Sequence, residues 1–193
     1  MRPRTTLPRA FMAALLALSM AASATAGAAS AIQIDNFGRV DATLYRGAQP
    51  KGRDYADLAA LGVKVVINLT DDDADASEQA MAERAGMRYV QIPMNTHQPP
   101  TAVQLTQFMQ IVADPASQPV FVHCVGGRHR TGVMTAVYRM MHDGWEPARA
   151  FAEMKQYKFG ADFLHPEFKQ FVYDYPAMAA HAAAAVPAVK VGG

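Results

Sequence analysis

Two hydrophobic periods alternate along this chain. Val63 to Leu69 is a nearly continuous β-branched run, the pattern of a parallel strand buried on both faces. Val40 to Tyr45 reads as an earlier strand closed by a turn at Gly47 to Pro50, and Arg88 to Pro93 as a later one. The short apolar run Pro119 to Val122 is a fourth. Helical spacing fills the intervals. Arg53 to Leu61 places Tyr55, Leu58 and Leu61 on one face and stops at Gly62. A second helix is expected from Ala74 to Ala85, stopped by Gly86, and a third from Thr101 to Ala113 with Val103, Phe108, Ile111 and Val112 inward. Gly132 to Met141, Glu146 to Tyr157 and Pro166 to Tyr173 read as three more. Trp145, Phe151, Phe168 and Phe171 are taken as packing residues. Strands alternating with helices at these intervals predict a single α/β domain: a mainly parallel central sheet flanked by helices.

The two ends stand apart from this pattern. Arg2, Arg4 and Arg9 precede an apolar stretch from Phe11 to Ala22, and Ala24-Thr25-Ala26 supplies small residues for cleavage. Residues 1–26 are therefore expected to be a signal peptide, residues 27–176 the folded domain and 177–193 an alanine-rich tail. The apolar stretch is short for a membrane span, so no stable membrane insertion is expected. An exported protein, periplasmic or secreted, follows. Losing three arginines and no acids takes the formal charge from +1 to −2, which excludes nothing but gives no reason to expect nucleic acid as a partner. The chain holds one cysteine, so no internal disulfide forms and the thiol is either inert or reactive. Oligomeric state is not legible.

That cysteine heads the stretch His123-Cys124-Val125-Gly126-Gly127-Arg128-His129-Arg130-Thr131-Gly132. An apolar strand enters it and a helical pattern leaves it. A loop running into a helix N-terminus aims several backbone N–H groups at one spot, where the helix dipole also favours negative charge. Such a loop binds phosphate and favours the thiolate form of a thiol held in it. Gly126 and Gly127 are expected to supply positive φ values, and Arg130 a two-pronged donor for phosphate oxygens.

Cys, five residues, Arg, then Thr, with His in front, resembles the signature of the cysteine-dependent phosphatases, the protein-tyrosine and dual-specificity superfamily. Leu44-Tyr45-Arg46-Gly47-Ala48-Gln49-Pro50 and Gly144-Trp145 resemble its bacterial dual-specificity-type members, and the likeness covers residues 35 to 175. The resemblance implies a protein-tyrosine-phosphatase-like fold, a phosphorylated substrate, and chemistry independent of metal or other cofactor. It implies that Cys124 attacks phosphorus, that Arg130 and the amides from Val125 to Arg130 hold the equatorial oxygens, and that His123 orients the loop from beneath. Thr131 either donates to the sulfur or caps the helix. Arg128 and His129 make the rim basic, with Lys155 and Lys158 approaching it, and Arg46 and Gln49 are candidates to line the cleft.

One element of the family pattern is missing. The superfamily usually draws its general acid, an Asp, from the loop matching Pro93 to Pro100, which here holds no carboxylate. Three substitutes are available. Asp71, Asp72 and Asp73 follow the C-terminal end of a buried strand, the side where α/β sites form. His97 occupies the expected loop. His129 stands where myotubularin-like phosphatases carry an acid. A phosphoprotein and a polyphosphorylated small molecule or lipid head group both remain open as substrates. A rhodanese-like sulfurtransferase and a non-catalytic phosphate-binding module are the alternative functions.

Overall fold

The computed structural model describes residues 32–71 and 74–184; the expected signal peptide and the last nine residues lie outside them. The chain forms a five-stranded sheet in the order β1-β2-β5-β3-β4. The strands are β1 (Gly38–Arg39), β2 (Leu44–Ala48), β3 (Val65–Asn68), β4 (Arg88–Gln91) and β5 (Val120–Cys124). The helices are α1 (Asp54–Ala60), α2 (Glu78–Arg84), α3 (Ala102–Ala113), α4 (Arg130–His142), α5 (Pro147–Gln156) and α6 (Pro166–Ala184). Only β1 runs antiparallel, paired with β2; every other pairing is parallel.

β5 is the middle strand because it is apolar on both faces, and the two-residue period of a strand divides its side chains between two cores. Val120, Val122 and Cys124 join Val65 and Ile67 against α3, α4, α5 and α6, represented by Phe108, Val133, Phe151 and Phe168. Phe121 joins Val66 on the other face, against Tyr55 and Leu58 of α1 and Ala82 of α2. Parallel pairing brings the C-terminal ends of β2, β5 and β3 to one edge, with Ala48 opposite Cys124 and Asn68 opposite His123. The loop after β5 opens at that edge.

Five details depart from the sequence expectation. The first strand does not begin at Val40: Asp41 accepts hydrogen bonds from the backbone of Thr43 and Leu44, and this side-chain turn breaks the chain between β1 and β2. β2 then continues through Gly47 to Ala48 instead of turning there, because β5 pairs with it along its whole length. α2 starts at Glu78, not Ala74, since Asp75 binds the backbone and hydroxyl of Ser77 in a turn of its own. Leu61 and Val103 face solvent, at 36% and 75% exposure, although their spacing matched the buried faces of α1 and α3. Phe108 and Val112 are buried as expected, and so are Phe168, Phe171 and Phe151. Half-buried Trp145 lies between two guanidinium groups, with Arg149 3.8 Å and Arg139 4.3 Å from its ring centre. α6 runs well past Tyr173 into the alanine-rich stretch.

Candidate active site

β5 ends at Cys124 and α4 begins at Arg130, so five residues turn the chain from strand into helix. Cys124 is buried, at 3% exposure, and Arg130 at 4%. Gly127 has φ +61°, the left-handed region that glycine enters without steric cost. A Cβ there would also stand 2.3 Å from the carbonyl carbon and oxygen of Gly47, so the loop crosses β2 backbone to backbone. Gly126 needs no such freedom. Its φ is not in the left-handed region, and an added Cβ would meet only the Arg128 side chain at 3.5 Å, which corrects the equal weight given to the two glycines.

The loop carbonyls are tied away from the cleft. Val125 O accepts from the Gln49 amide at 3.1 Å. Asn36 Nδ2 donates to Gly126 O and Gly127 O at 3.3 and 2.9 Å, and Arg46 Nη2 donates to Gly127 O at 2.9 Å. In a planar trans peptide the N–H points opposite to the C=O. Fixing these three carbonyls outward therefore turns the N–H groups of Gly126, Gly127 and Arg128 the other way, into an anion-binding nest. Arg46 is fully buried; its Nη1 donates to Thr135 Oγ1 on α4 at 2.9 Å, and its guanidinium lies 3.9 Å from the Tyr157 ring centre. Burial lowers its pKa to about 10, with Tyr157, Glu153 and Cys124 opposing that shift, so it stays charged at neutral pH. Neither Arg46 nor Gln49 lines the cleft by its side chain. Both brace the loop from behind.

Beneath the loop, His123 points to the α2 side of the sheet. Its Nε2 is 2.6 Å from Glu78 Oε1, with both side chains fully buried. Asn68 Nδ2 donates to Glu78 Oε2 at 2.8 Å, and Asn68 Oδ1 accepts from the Thr70 backbone at 2.7 Å. Removing either partner would leave the other polar side chain buried without it, at a cost of about 1–3 kcal/mol. The expected orienting place of His123 thus has a partner, Glu78, that sequence reading did not find.

The cleft, of about 400 Å³, lies between Thr96 and the loop residues Cys124, Val125, Gly126, Arg128, His129 and Arg130. Arg130 Nη1 donates to Met94 O at 3.3 Å, which links the loop to the segment after β4. Arg128 is exposed at the rim. Lys155 does not join it: its ammonium pairs with Asp162 at 2.7 Å and with Gly160 O. Thr131 is fully buried one residue inside α4, its hydroxyl bonded to no described group. His129, and not Thr131, occupies the N-cap position, and it makes no side-chain cap.

The acid candidates are spread unequally around this cleft. Asp71 is exposed in the turn after β3, at the sheet edge where Cys124 lies; Asp72 and Asp73 fall outside the described residues. His129 is half-buried in the cleft wall, with Nε2 2.9 Å from Phe159 O, so that nitrogen carries the proton. Burial lowers its pKa below the ordinary histidine value; the Phe159 carbonyl opposes this, while His165, Arg128 and Arg130 reinforce it. His97 follows Thr96 at the mouth, and its ring stacks on His165 at 5.2 Å. His165, 3.7 Å from the His129 ring, went unremarked because it lies far along the chain in a segment with no motif.

A buried cysteine at the tip of a central parallel strand, an inward-facing nest of amides and an arginine closing it define the protein-tyrosine-phosphatase-like class. Within that class, a family model described as "DSP-PTPase phosphatase fused to NAD+ Kinase" matches residues 29–170, and the chain belongs to this family. The dual specificity protein phosphatase TpbA of Pseudomonas aeruginosa (strain UCBPP-PA14) is 34% identical over 125 residues, 65% of this chain and 56% of that protein. The inositol diphosphatase SIW14 of Saccharomyces cerevisiae is 26% identical over 130 residues, covering 65% of this chain and 46% of that protein. The chain thus spans about half the length of these curated relatives. The crystal structure of P. aeruginosa TpbA matches with a TM-score of 0.66 and 30% identity, over 79% of this chain and 92% of that one. The core catalytic domain of S. cerevisiae SIW14 in complex with citrate gives 0.67 and 26%, over 80% and 95%.

Proposed function

We propose that this protein is a phosphomonoester hydrolase that works through a cysteinyl-phosphate. The observation that carries this reading is the set of outward-tied carbonyls: Asn36, Arg46 and Gln49 hold the amides of the loop ready for an anion beside Cys124. Preorganised donors of this kind stabilise charge as it develops and need no reorganisation during the reaction.

In the first step the Cys124 thiolate attacks phosphorus. The phosphorus–sulfur bond forms, the phosphorus–oxygen bond to the leaving group breaks, and the departing oxygen takes a proton from the general acid. In the second step water attacks phosphorus, giving a proton back to the conjugate base of that acid; the phosphorus–oxygen bond forms, the phosphorus–sulfur bond breaks and the thiolate returns. Arg130 and the loop amides hold the three non-bridging oxygens throughout. His123, held by Glu78, keeps the strand end in place. The unbonded Thr131 hydroxyl is the group available to stabilise sulfur as it leaves. None of these steps requires a metal ion. Asp71 to Asp73 are the first choice for the acid, because Asp71 follows β3 at the sheet edge of Cys124; His129, with its lowered pKa, holds a proton less readily.

The substrate is a phosphoprotein or a polyphosphorylated small molecule or head group. The open cleft and the exposed Arg128 beside Arg130 suit both. A TpbA variant 29% identical to this chain has been crystallised in complex with pTyr, and SIW14 is named an inositol diphosphatase. Phosphate release in excess chelator, measured across p-nitrophenyl phosphate, phosphotyrosyl peptides and inositol polyphosphates, tests the reading. Turnover of p-nitrophenyl phosphate and of at least one natural class is expected. Tight phosphate binding with no turnover of any of them would leave a non-catalytic module instead.

We also propose export, supported by the charged, apolar and small-residue segments at the N-terminus. Among the described residues no helix is long and apolar enough to cross a membrane. Mass spectrometry of protein from the cell envelope or medium should find a chain beginning near residue 27.

A further inference from the structure

We propose that His97, His165 and Glu167 form a binding site for a divalent transition-metal ion of the Zn²⁺ type, at the mouth of the cleft, and that the occupied site inhibits the enzyme.

The three side chains come from two separate segments. His97 stands in the loop between β4 and α3, and His165 and Glu167 flank the start of α6. Glu167 Oε1 is 3.2 Å from His165 Nδ1 and 3.9 Å from His97 Nδ1, and the three ligand atoms all lie within 4.8 Å of one another. A tetrahedral zinc ion with bonds of about 2.0–2.1 Å holds its ligand atoms about 3.3 Å apart. The His165–Glu167 spacing already meets that requirement. His97 has to close in by only part of an ångström toward Glu167, and its side chain is 73% exposed on the side away from the His165 ring it stacks on.

The donor chemistry and the support agree with this assignment. Two imidazoles and one carboxylate suit zinc, cobalt(II) and nickel(II), whereas calcium and magnesium favour sites built from oxygen. His165 is held by ring contacts with His129 at 3.7 Å and Phe168 at 5.9 Å, so one ligand is fixed before the ion arrives. Three protein ligands leave the fourth position of a tetrahedral ion for water.

The consequence for catalysis follows from the neighbours. Thr96, next to His97, lines the cleft, and His129 of the phosphate loop packs on His165. An ion joining His97 to α6 would fasten the β4–α3 loop across the cleft mouth beside Cys124 and restrict substrate entry.

Zinc also binds thiolates, so the test removes the thiol first. The full chain without a polyhistidine tag, as Cys124→Ser, is titrated with Co²⁺ and followed by its visible absorption, then with Zn²⁺ in competition. One bound ion per chain with tetrahedral bands is expected, and His97→Ala, His165→Ala and Glu167→Gln should each weaken it by at least about tenfold, the lower end of the loss seen when even a supporting group is removed. His97 is exposed, so its variant folds even where the others do not. In protein with Cys124 intact, Zn²⁺ should inhibit reversibly on chelation, and Glu167→Gln should resist. The binding arm does not depend on the proposed reaction. Binding that is lost with Cys124→Ser, or that is unchanged in His97→Ala, would overturn the site.

Discussion

At the residue scale, two adjacent glycines make opposite demands. Gly127 has left-handed backbone and crosses Gly47 with no room for a Cβ, while a Cβ at Gly126 would make only ordinary contact, 3.5 Å from the Arg128 side chain. Left-handed backbone costs a residue with a Cβ about 1–2 kcal/mol before any clash is counted. Gly127→Ala is therefore expected to displace the loop and reduce phosphate affinity and turnover at least tenfold, whereas Gly126→Ala should stay near wild type. Equal losses in the two variants, read from initial rates and inorganic-phosphate binding, would contradict the crossing. The acid is tested by leaving groups. Assistance matters greatly for an alkyl phosphate and little for p-nitrophenolate, which departs unaided. Alanine at the true acid should lose the alkyl ester, nearly keep p-nitrophenyl phosphate and flatten the alkaline limb of the pH profile. Asp71 to Asp73 are expected to contain that residue. Retention of the alkyl ester by alanine variants of all three, and of His97 and His129, would refute every candidate.

At the element scale, the loop is positioned by side chains from strands and helices that the phosphatase motif does not contain. Arg46 on β2 joins the loop carbonyl of Gly127 to Thr135 on α4, and Glu78 on α2 holds His123 on β5. The order of strands and helices was legible because each has one dominant period, and the loop was legible because its residues are contiguous. Asn36, Glu78 and His165 were not legible. Their partners lie far off in sequence, and a buried Glu at the start of a helix looks the same as a solvated one until the fold is known. The late start of α2 and the break at Asp41 had a local cause, the side-chain turns of Asp75 and Asp41, that hydrophobic spacing does not report.

Asp41 also ties two elements together. It accepts from the backbone of Thr43 and Leu44 in the β1–β2 turn and, at 2.6 Å, from the Tyr138 hydroxyl on α4. Burial alone would raise its pKa, but the bonds from Tyr138, Thr43 and Leu44 together hold it below the ordinary aspartate value. Its stabilisation is therefore complete above the unfolded value of about 3.9 and is lost as pH falls through the lower folded value. Asp41→Ala should cost about 1–3 kcal/mol near neutral pH, the scale for a charged hydrogen-bond acceptor. Urea melts across pH should show the gap between wild type and variant closing below about pH 4. A gap that widens in acid would reverse the assignment.

At the scale of the whole molecule, the central strand between two cores fixes where chemistry can happen. The two faces of β5 bury its side chains in separate cores, so Cys124 emerges at the sheet edge with α4 packed behind it and His123 anchored on the opposite side. The chain has a single cysteine, so the proposed covalent step rests on that one thiol. The most direct test is the turnover of p-nitrophenyl phosphate in excess chelator by wild type and Cys124→Ser, with rapid acid quenching to trap phosphoprotein. Wild type should form an acid-stable cysteinyl-phosphate. Cys124→Ser should keep its fold and its affinity for phosphate while kcat falls by at least about 10³, the scale of losing a nucleophile that acts as one unit with its partners. Turnover by Cys124→Ser within tenfold of wild type would contradict the covalent mechanism.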